Sequence, residues 1–88
     1  MDVFVYVRGV MPQGLDEVED ALDEALGNTG EVTGSGSGIK GSNFDIEISD
    51  DQIDIATALS IVRKALERFK LPISTVIVID GTEYPLTP

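Results

Sequence analysis

Carboxylates are the only abundant side chains in this chain that could act as acids, bases or metal ligands. The sequence contains 16 Asp and Glu residues and no His or Cys, so it lacks an imidazole base, a thiolate nucleophile and the usual zinc ligands. Asp45 and Glu47 alternate along a predicted strand and would share a sheet face with Tyr6. Because strand alternation alone produces such pairs, we predict no catalytic residue, no metal site and no cofactor.

A glycine-rich tract from Gly34 to Asn43 is the second candidate for chemistry. Its segment from Gly36 to Gly41 matches the dinucleotide-binding pattern G-x-G-x-x-G. A strand beginning near Phe44 follows it, however, instead of the helix whose amino terminus would face a pyrophosphate. We therefore predict a flexible hairpin loop. The alternative is a backbone nest for an anion or ligand, formed by Gly36, Gly38, Lys40 and Gly41.

The most unusual charge pattern lies between Gln13 and Glu31, where seven acids occur without a base. Apolar residues recur there at three- and four-residue intervals, from Leu15 to Leu26, which predicts an amphipathic helix with an acidic outer face. Like charges four residues apart on that face each cost about 0.2–0.5 kcal/mol in an isolated helix. Since local stability would not favour such a face, we predict that it serves solubility or binds a basic partner. The predicted partner-binding residues are Asp16, Glu17, Asp20, Asp23 and Glu24, joined by Phe4 and Tyr6 from the first strand.

Composition limits the other functions. The 88 residues, with 42% hydrophobic content and no apolar run long enough to span a bilayer, predict one folded domain over residues 1–88. A net charge of −10 and a pI near 4.1 argue against binding to nucleic acid or to an anionic membrane, because both require clustered Lys and Arg. The absence of Cys and of a leader pattern predicts a cytoplasmic protein.

Periodicity places the elements that position these residues. Valines alternate with Phe4, Tyr6 and Arg8 at 3–8, which predicts a strand with one aliphatic and one mixed aromatic face. Apolar and polar residues alternate at 44–49, which predicts another strand, and residues 74–79 are predicted to form a strand that is apolar on both faces. Residues 31–33 are a weaker strand candidate. The acidic helix should end at Gly27 and Asn28. A second helix should follow the capping-box pattern from Ser49 to Gln52, with acids in its first turn and four bases toward its end.

The resulting order is strand, helix, strand, strand, helix, strand, which right-handed crossovers assemble into a ferredoxin-like α+β sandwich. It has a four-stranded antiparallel sheet with both helices on one face and the first and third strands in the centre. The turn at Asp80 and Gly81 could add residues 82–84 as a short extra strand at the edge. Phe4 and Tyr6 would then join alternate residues of the last strand in an apolar patch on the outer face, which suits a partner or a homodimer.

Two resemblances to known families add to these predictions. The segment Pro12-Gln13-Gly14-Leu15 after the first strand resembles the loop of ACT-type ligand-binding domains, which share this element order. The segments Gly30-Glu31-Val32-Thr33-Gly34, Ser42-Asn43-Phe44-Asp45-Ile46 and Ser74-Thr75-Val76-Ile77 are similar to a family of small uncharacterised bacterial proteins, some of them immunity-like. The first resemblance implies a dimeric domain that senses a small molecule, and the second implies an immunity-like protein. Neither transfers a functional residue.

Two functions follow from these observations. The preferred one is a non-catalytic acidic interaction module, an inhibitor or immunity-like protein whose first helix binds a basic protein surface. The alternative is an ACT-like regulatory domain that binds a small molecule at the loop of residues 9–14 and the neighbouring sheet edges. Salt-sensitive binding would indicate the first function, and thermal stabilisation by a metabolite would indicate the second.

Overall fold

The computed structural model describes residues 1–9, 11 and 14–88, and this part of the chain contains two helices and five strands. They follow the order β1 (Asp2–Arg8), α1 (Leu15–Leu26), β2 (Gly30–Gly38), β3 (Gly41–Ile48), α2 (Ile55–Leu66), β4 (Val76–Ile79) and β5 (Thr82–Pro85), with a 3-10 turn at Gly27–Thr29. All neighbouring strands are antiparallel, and the sheet order is β2-β3-β1-β4-β5. The chain is therefore an α+β protein, as predicted. Its sheet has five strands instead of four, because the residues after Gly81 fold back onto β4.

One face of the sheet and one stripe of each helix form the core. In β1, Val3, Val5 and Val7 are buried whereas the residues between them are not, so the predicted alternation is confirmed. The two helices cover that face with side chains that repeat at helical spacing. Burying a large aliphatic or aromatic side chain contributes about 1.5–3 kcal/mol. The largest fully buried residues are Phe44, Leu22, Ile46, Ile48, Leu66, Ile77 and Ile79.

The glycine-rich tract is mostly strand, so the prediction of a flexible loop over residues 34–43 was wrong. β2 continues to Gly38 and β3 starts at Gly41, which leaves only a two-residue turn at Ile39 and Lys40. Glycine weakens a strand locally, but pairing with β3 along its length holds β2 in place. Gly41 has φ 149, and a Cβ atom there would overlap the carbonyl oxygen of Val7. The close approach of β3 to β1 at this point therefore requires glycine.

The second helix begins later than the capping-box pattern predicted. Asp54 is its N-cap, and its Oδ1 accepts a hydrogen bond from the Thr57 N–H at 2.8 Å. Hydrogen bonding by the side chain and backbone of Thr57 lowers the pKa of the Asp54 carboxyl below its usual value. Ser49 instead donates from Oγ to the carbonyl oxygen of Thr29. The predicted acids in the first turn of α2 therefore precede the helix, where they still favour its amino terminus.

The remaining boundaries are close to those predicted. Gly27 caps the end of α1, and α2 ends at Leu66 with Arg63 and Lys64 in its last turn. Asp80 and Gly81 have φ values of 52 and 76, as a tight hairpin turn of the type expected there requires. Each helix has 12 residues, and no helix in the described part of the chain is long and apolar enough to cross a membrane.

Candidate interaction surfaces

The acidic face of α1 points away from the core. Asp16, Glu17, Asp20 and Glu24 are all exposed. Two bases lie nearby on the α2 side, since Arg68 shares a shallow groove with Glu17 and Asp20, and Lys64 shares another with Glu24. Neither base forms an ion pair with these acids in the part of the chain that the structure describes, where the one ion pair joins Arg8 and Glu83 at 3.9 Å. The guanidinium carbon of Arg68 lies 5.2 Å from the ring centre of Phe69 instead.

Two acids of α1 turn toward β2, the edge strand beneath the helix. Asp23 Oδ1 accepts a hydrogen bond from the backbone N–H of Val32 at 2.9 Å, and Glu19 Oε1 accepts one from the Ser35 hydroxyl. A free N–H on an edge strand is a template for pairing with another chain. Asp23, which the sequence assigned to partner binding, therefore already has an internal role that shields this edge.

Phe4 and Tyr6 lie on the outer face of the sheet, away from both helices. Their ring centres are 6.4 Å apart, with an angle of 24° between the ring planes. On β4, Val78 is directly opposite Phe4 and Val76 is directly opposite Tyr6. Tyr6 is 40% exposed, and the other three side chains are half-buried. These four residues, which we call the outer apolar patch, have no helix over them among the residues that the structure describes.

The predicted partner-binding residues are therefore divided between two sides of the molecule. The α1 acids lie over the helix-bearing face, and Phe4 and Tyr6 lie on the opposite face. One flat partner surface cannot contact both groups. The predicted fold already implied this separation, because it placed both helices on one face of the sheet and Phe4 and Tyr6 on the other.

A row of carboxylates that was not predicted from the sequence lies on the outer face. Glu47 on β3 is directly opposite Glu31 on β2 and Asp2 on β1, and all three are exposed. Asp80 follows the residue that pairs with Val3, so it extends the row beyond Asp2. Like charges that face each other across strands destabilise a sheet. The members of this row on β1 and β3 could have been predicted, because each of these two acids lies an even number of residues from an outer-facing residue of the same strand.

The opposite end of the sheet carries two bases, of which Arg8 is ion-paired with Glu83, and two exposed isoleucines. Arg8 ends β1, and the carbonyl oxygen of the neighbouring Lys40 accepts a hydrogen bond from the Gly9 N–H at 3.1 Å. Ile39, in the β2–β3 turn, is 104% exposed, and Ile73, before β4, is 95% exposed. The exposure of Ile39 could have been predicted from its position in the turn between β2 and β3.

The residues of the predicted anion or ligand loop are spread along the β2–β3 hairpin. Gly36 and Gly38 belong to β2 and Gly41 opens β3, each with a strand partner. Lys40 is exposed in the turn. The ACT-like ligand loop, residues 9–14, includes Val10, Pro12 and Gln13, which lie outside the described residues.

Asp45 and Glu47, the acid pair considered for catalysis, lie in different environments on β3. Asp45 is half-buried opposite Phe4, and its Oδ1 accepts a hydrogen bond from Asn43 Nδ2 at 3.4 Å. Glu47 lies in the carboxylate row. Across the described ranges, no group of three or more His, Cys, Asp or Glu side chains could hold a metal ion.

Comparison of the chain with protein-family models, with curated proteins and with solved structures finds no match. The function must therefore be argued from the two surfaces, namely the acidic face of α1 and the outer face of the sheet.

Proposed function

We propose that the chain is a non-catalytic, acidic protein-interaction module, of an inhibitor or immunity-like kind, that binds a basic protein surface through α1. The observation that carries the proposal is the exposure of four α1 carboxylates that form no ion pair with any residue in the described ranges. They are Asp16, Glu17, Asp20 and Glu24. Such a face steers a basic partner toward the helix and speeds association.

The energetic argument is that this face costs stability where it stands. Asp16 and Asp20, and again Asp20 and Glu24, are like charges four residues apart, at about 0.2–0.5 kcal/mol for each pair. Glu24 lies in the last turn of α1, which contains no base, and an acid at the negative end of a helix dipole adds about 0.3–1 kcal/mol. A basic partner would offset these costs with attractive interactions.

A ferredoxin-like arrangement of the first four strands and both helices is part of the proposal. It is supported by the order β2-β3-β1-β4, in which β1 and β3 are interior strands, with β5 added at the edge beside β4. A cytoplasmic location, supported by the absence of Cys, also belongs to the proposal.

The test is affinity capture from the source lysate with matched charge variants. The binding variant carries Asp16→Asn, Glu17→Gln and Asp20→Asn, and leaves Asp23 in place because it holds the Val32 N–H. The control variant carries the same number of neutralised acids at positions outside both α1 and the outer face. These are Asp51→Asn, Glu67→Gln and Asp50→Asn, the last of which keeps a side-chain oxygen that can accept the Gln52 N–H.

We expect a basic protein to be retained by the native and control chains and lost from the binding variant. Its retention should weaken as salt is raised, because exposed charges act mainly within a Debye length of about 8 Å at physiological salt. Equal retention by all three chains, or equal loss from both variants, would contradict a site on α1.

A further inference from the structure

The outer apolar patch occupies the middle of a sheet face whose two ends differ in charge. Phe4 and Tyr6 on β1 and Val78 and Val76 on β4 form two neighbouring pairs at its centre. The carboxylate row with Asp2 and Glu47 lies toward one end. Arg8 ends β1 at the other, where it forms the 3.9 Å ion pair with Glu83 of β5 and lies beside the turn that holds Lys40.

We propose that this outer face binds the outer face of a second copy of the chain, related by a two-fold axis that runs across the strands. The rotation reverses the strand direction, so β1 lies over β1 of the second copy in the antiparallel sense. With the axis at Val5, Asp2 faces Arg8 of the second copy and Phe4 faces Tyr6 of the second copy.

The same rotation matches the neighbouring strands. On β4, Val78 faces Val76 of the second copy. On β3, Asp45 faces Asn43 of the second copy, and Glu47 approaches Lys40 at the end of the hairpin. Asp2 and Glu47 thus meet bases at the two ends of the interface, and the apolar residues of β1 and β4 meet in the middle.

A two-fold axis parallel to the strands gives a poor match. It would place Asp2 over its own copy in the second chain and would turn the carboxylate row against itself. The charge distribution therefore selects the arrangement in which the strands of the two copies run in opposite directions.

The face is large enough for a weak specific dimer. Five strands of four to nine residues, with about 3.3 Å per residue and about 4.8 Å between strands, give a face of about 500 Å² on each copy. Two such faces bury about 1,000 Å² in total, which lies at the lower end of specific interfaces. The net charge of −10 on each chain opposes association at long range, so physiological salt is the appropriate condition.

The dimer does not depend on the proposed function, since α1 lies on the other side of the sheet and stays free. The experiment is sedimentation equilibrium on the purified chain alone, from micromolar to near-millimolar concentration. We expect a reversible monomer–dimer equilibrium, with the α1 binding variant dimerising at least as well as the native chain. A chain that dimerises but captures no basic protein would contradict only the function proposed for α1. A chain that captures a basic protein but stays monomeric would contradict only the dimer.

Charge reversals test the orientation. Arg8→Glu and Asp2→Lys should each raise the dissociation constant at least about tenfold, because each reverses both symmetric contacts. Arg8→Glu also removes the ion pair with Glu83, so Glu83→Gln, which removes that pair but keeps Arg8, should dimerise at least as well as the native chain. Lys64→Glu and Asp51→Lys, which change the net charge equally but lie away from the outer face, are the controls. Mixing the Arg8→Glu chain with the Asp2→Lys chain should restore dimers, since opposite charges then meet at both ends. The double variant, which carries both reversals in one chain, should also dimerise.

Tyr6→Ser, a change at a partly exposed position, should also weaken the dimer while the circular dichroism spectrum stays native. A monomer at every concentration would overturn the proposal and leave the patch to a different protein. A dimer that responds to Arg8→Glu no more than to Lys64→Glu would overturn it as well, as would a double variant that remains monomeric.

Discussion

Replacing Glu47 with Gln should stabilise the monomer, although the change removes only one surface charge. Glu47 is the middle member of the carboxylate row, directly opposite Glu31 on one side and Asp2 on the other. Gln keeps the size and shape of the side chain, so packing and strand propensity change little. The substitution therefore isolates the two cross-strand repulsions.

The expected magnitude follows from the spacing of the strands. Directly opposed Cβ atoms are about 4.5–5.5 Å apart, which allows the carboxylates to splay to about 6 Å. Two unit charges at about 6 Å in water repel with about 0.7 kcal/mol, and physiological salt reduces this by about half. Relief of two such repulsions gives about 0.7 kcal/mol. For a domain of this size, that raises Tm by about 3–6 °C.

Urea denaturation followed by circular dichroism measures this difference directly, at low protein concentration so that the chain is monomeric. Glu67→Gln is the matched control, because Glu67 is exposed at the end of α2 and lies outside the row. The gain for Glu47→Gln should exceed that of the control at about 0.05 M salt and fall at about 1 M, where the Debye length is about 3 Å. Equal gains for both variants, or a gain that ignores salt, would refute the reasoning.

Two further predictions concern the backbone and the second helix. Gly41→Ala should destabilise the protein by more than about 2 kcal/mol in a urea titration, since φ at this position is 149 and a Cβ atom would overlap the backbone of β1. Gly38→Ala is the control, because a Cβ atom there has open space. It should change stability by less than about 0.5 kcal/mol in the same titration. Asp54→Ala should lower Tm at pH 7. Because hydrogen bonding by Thr57 lowers the pKa of Asp54 in the folded state, this contribution is full above the unfolded pKa and is lost as pH falls through the folded pKa. The Tm values of the native chain and of Asp54→Ala should therefore become equal in acid. A difference in Tm that stays constant as the pH falls would contradict the role of the ionised Asp54 carboxylate as the cap.

Strict alternation made the strands of the core predictable. Val3, Val5 and Val7 could be assigned to the buried face from parity alone, as could Phe44 and Ile46. The helix stripes and the Asp80–Gly81 turn were predictable for the same reason, since each depends on residues close in sequence. These local patterns agree with the tertiary packing, so nothing in the fold overrides them.

The extent of β2 was not predictable from propensity. Gly34, Gly36 and Gly38 share the outer face, and Ser35 and Ser37 alternate with them on the other, so the period of a strand was present in the tract. The prediction of a loop followed from the low strand propensity of glycine and not from this alternation. The prediction of the α2 cap was wrong for a different reason. Two residues with capping side chains, Ser49 and Asp54, lie five positions apart, and the local sequence does not decide between them. The contact of Ser49 with Thr29, which decides between them, is tertiary.

The division of the acids between two surfaces follows from the same distinction between local and tertiary order. Seven acids lie together in the sequence between Gln13 and Glu31, yet the fold gives them different tasks. Asp23 shields the edge of β2, Glu31 joins a row completed by residues 2 and 47, and Asp16 remains free on α1. If the outer face is covered by a second copy, each dimer carries two free α1 faces on its two outer sides. A basic partner would then meet a bivalent protein, and its apparent affinity would depend on chain concentration through dimerisation.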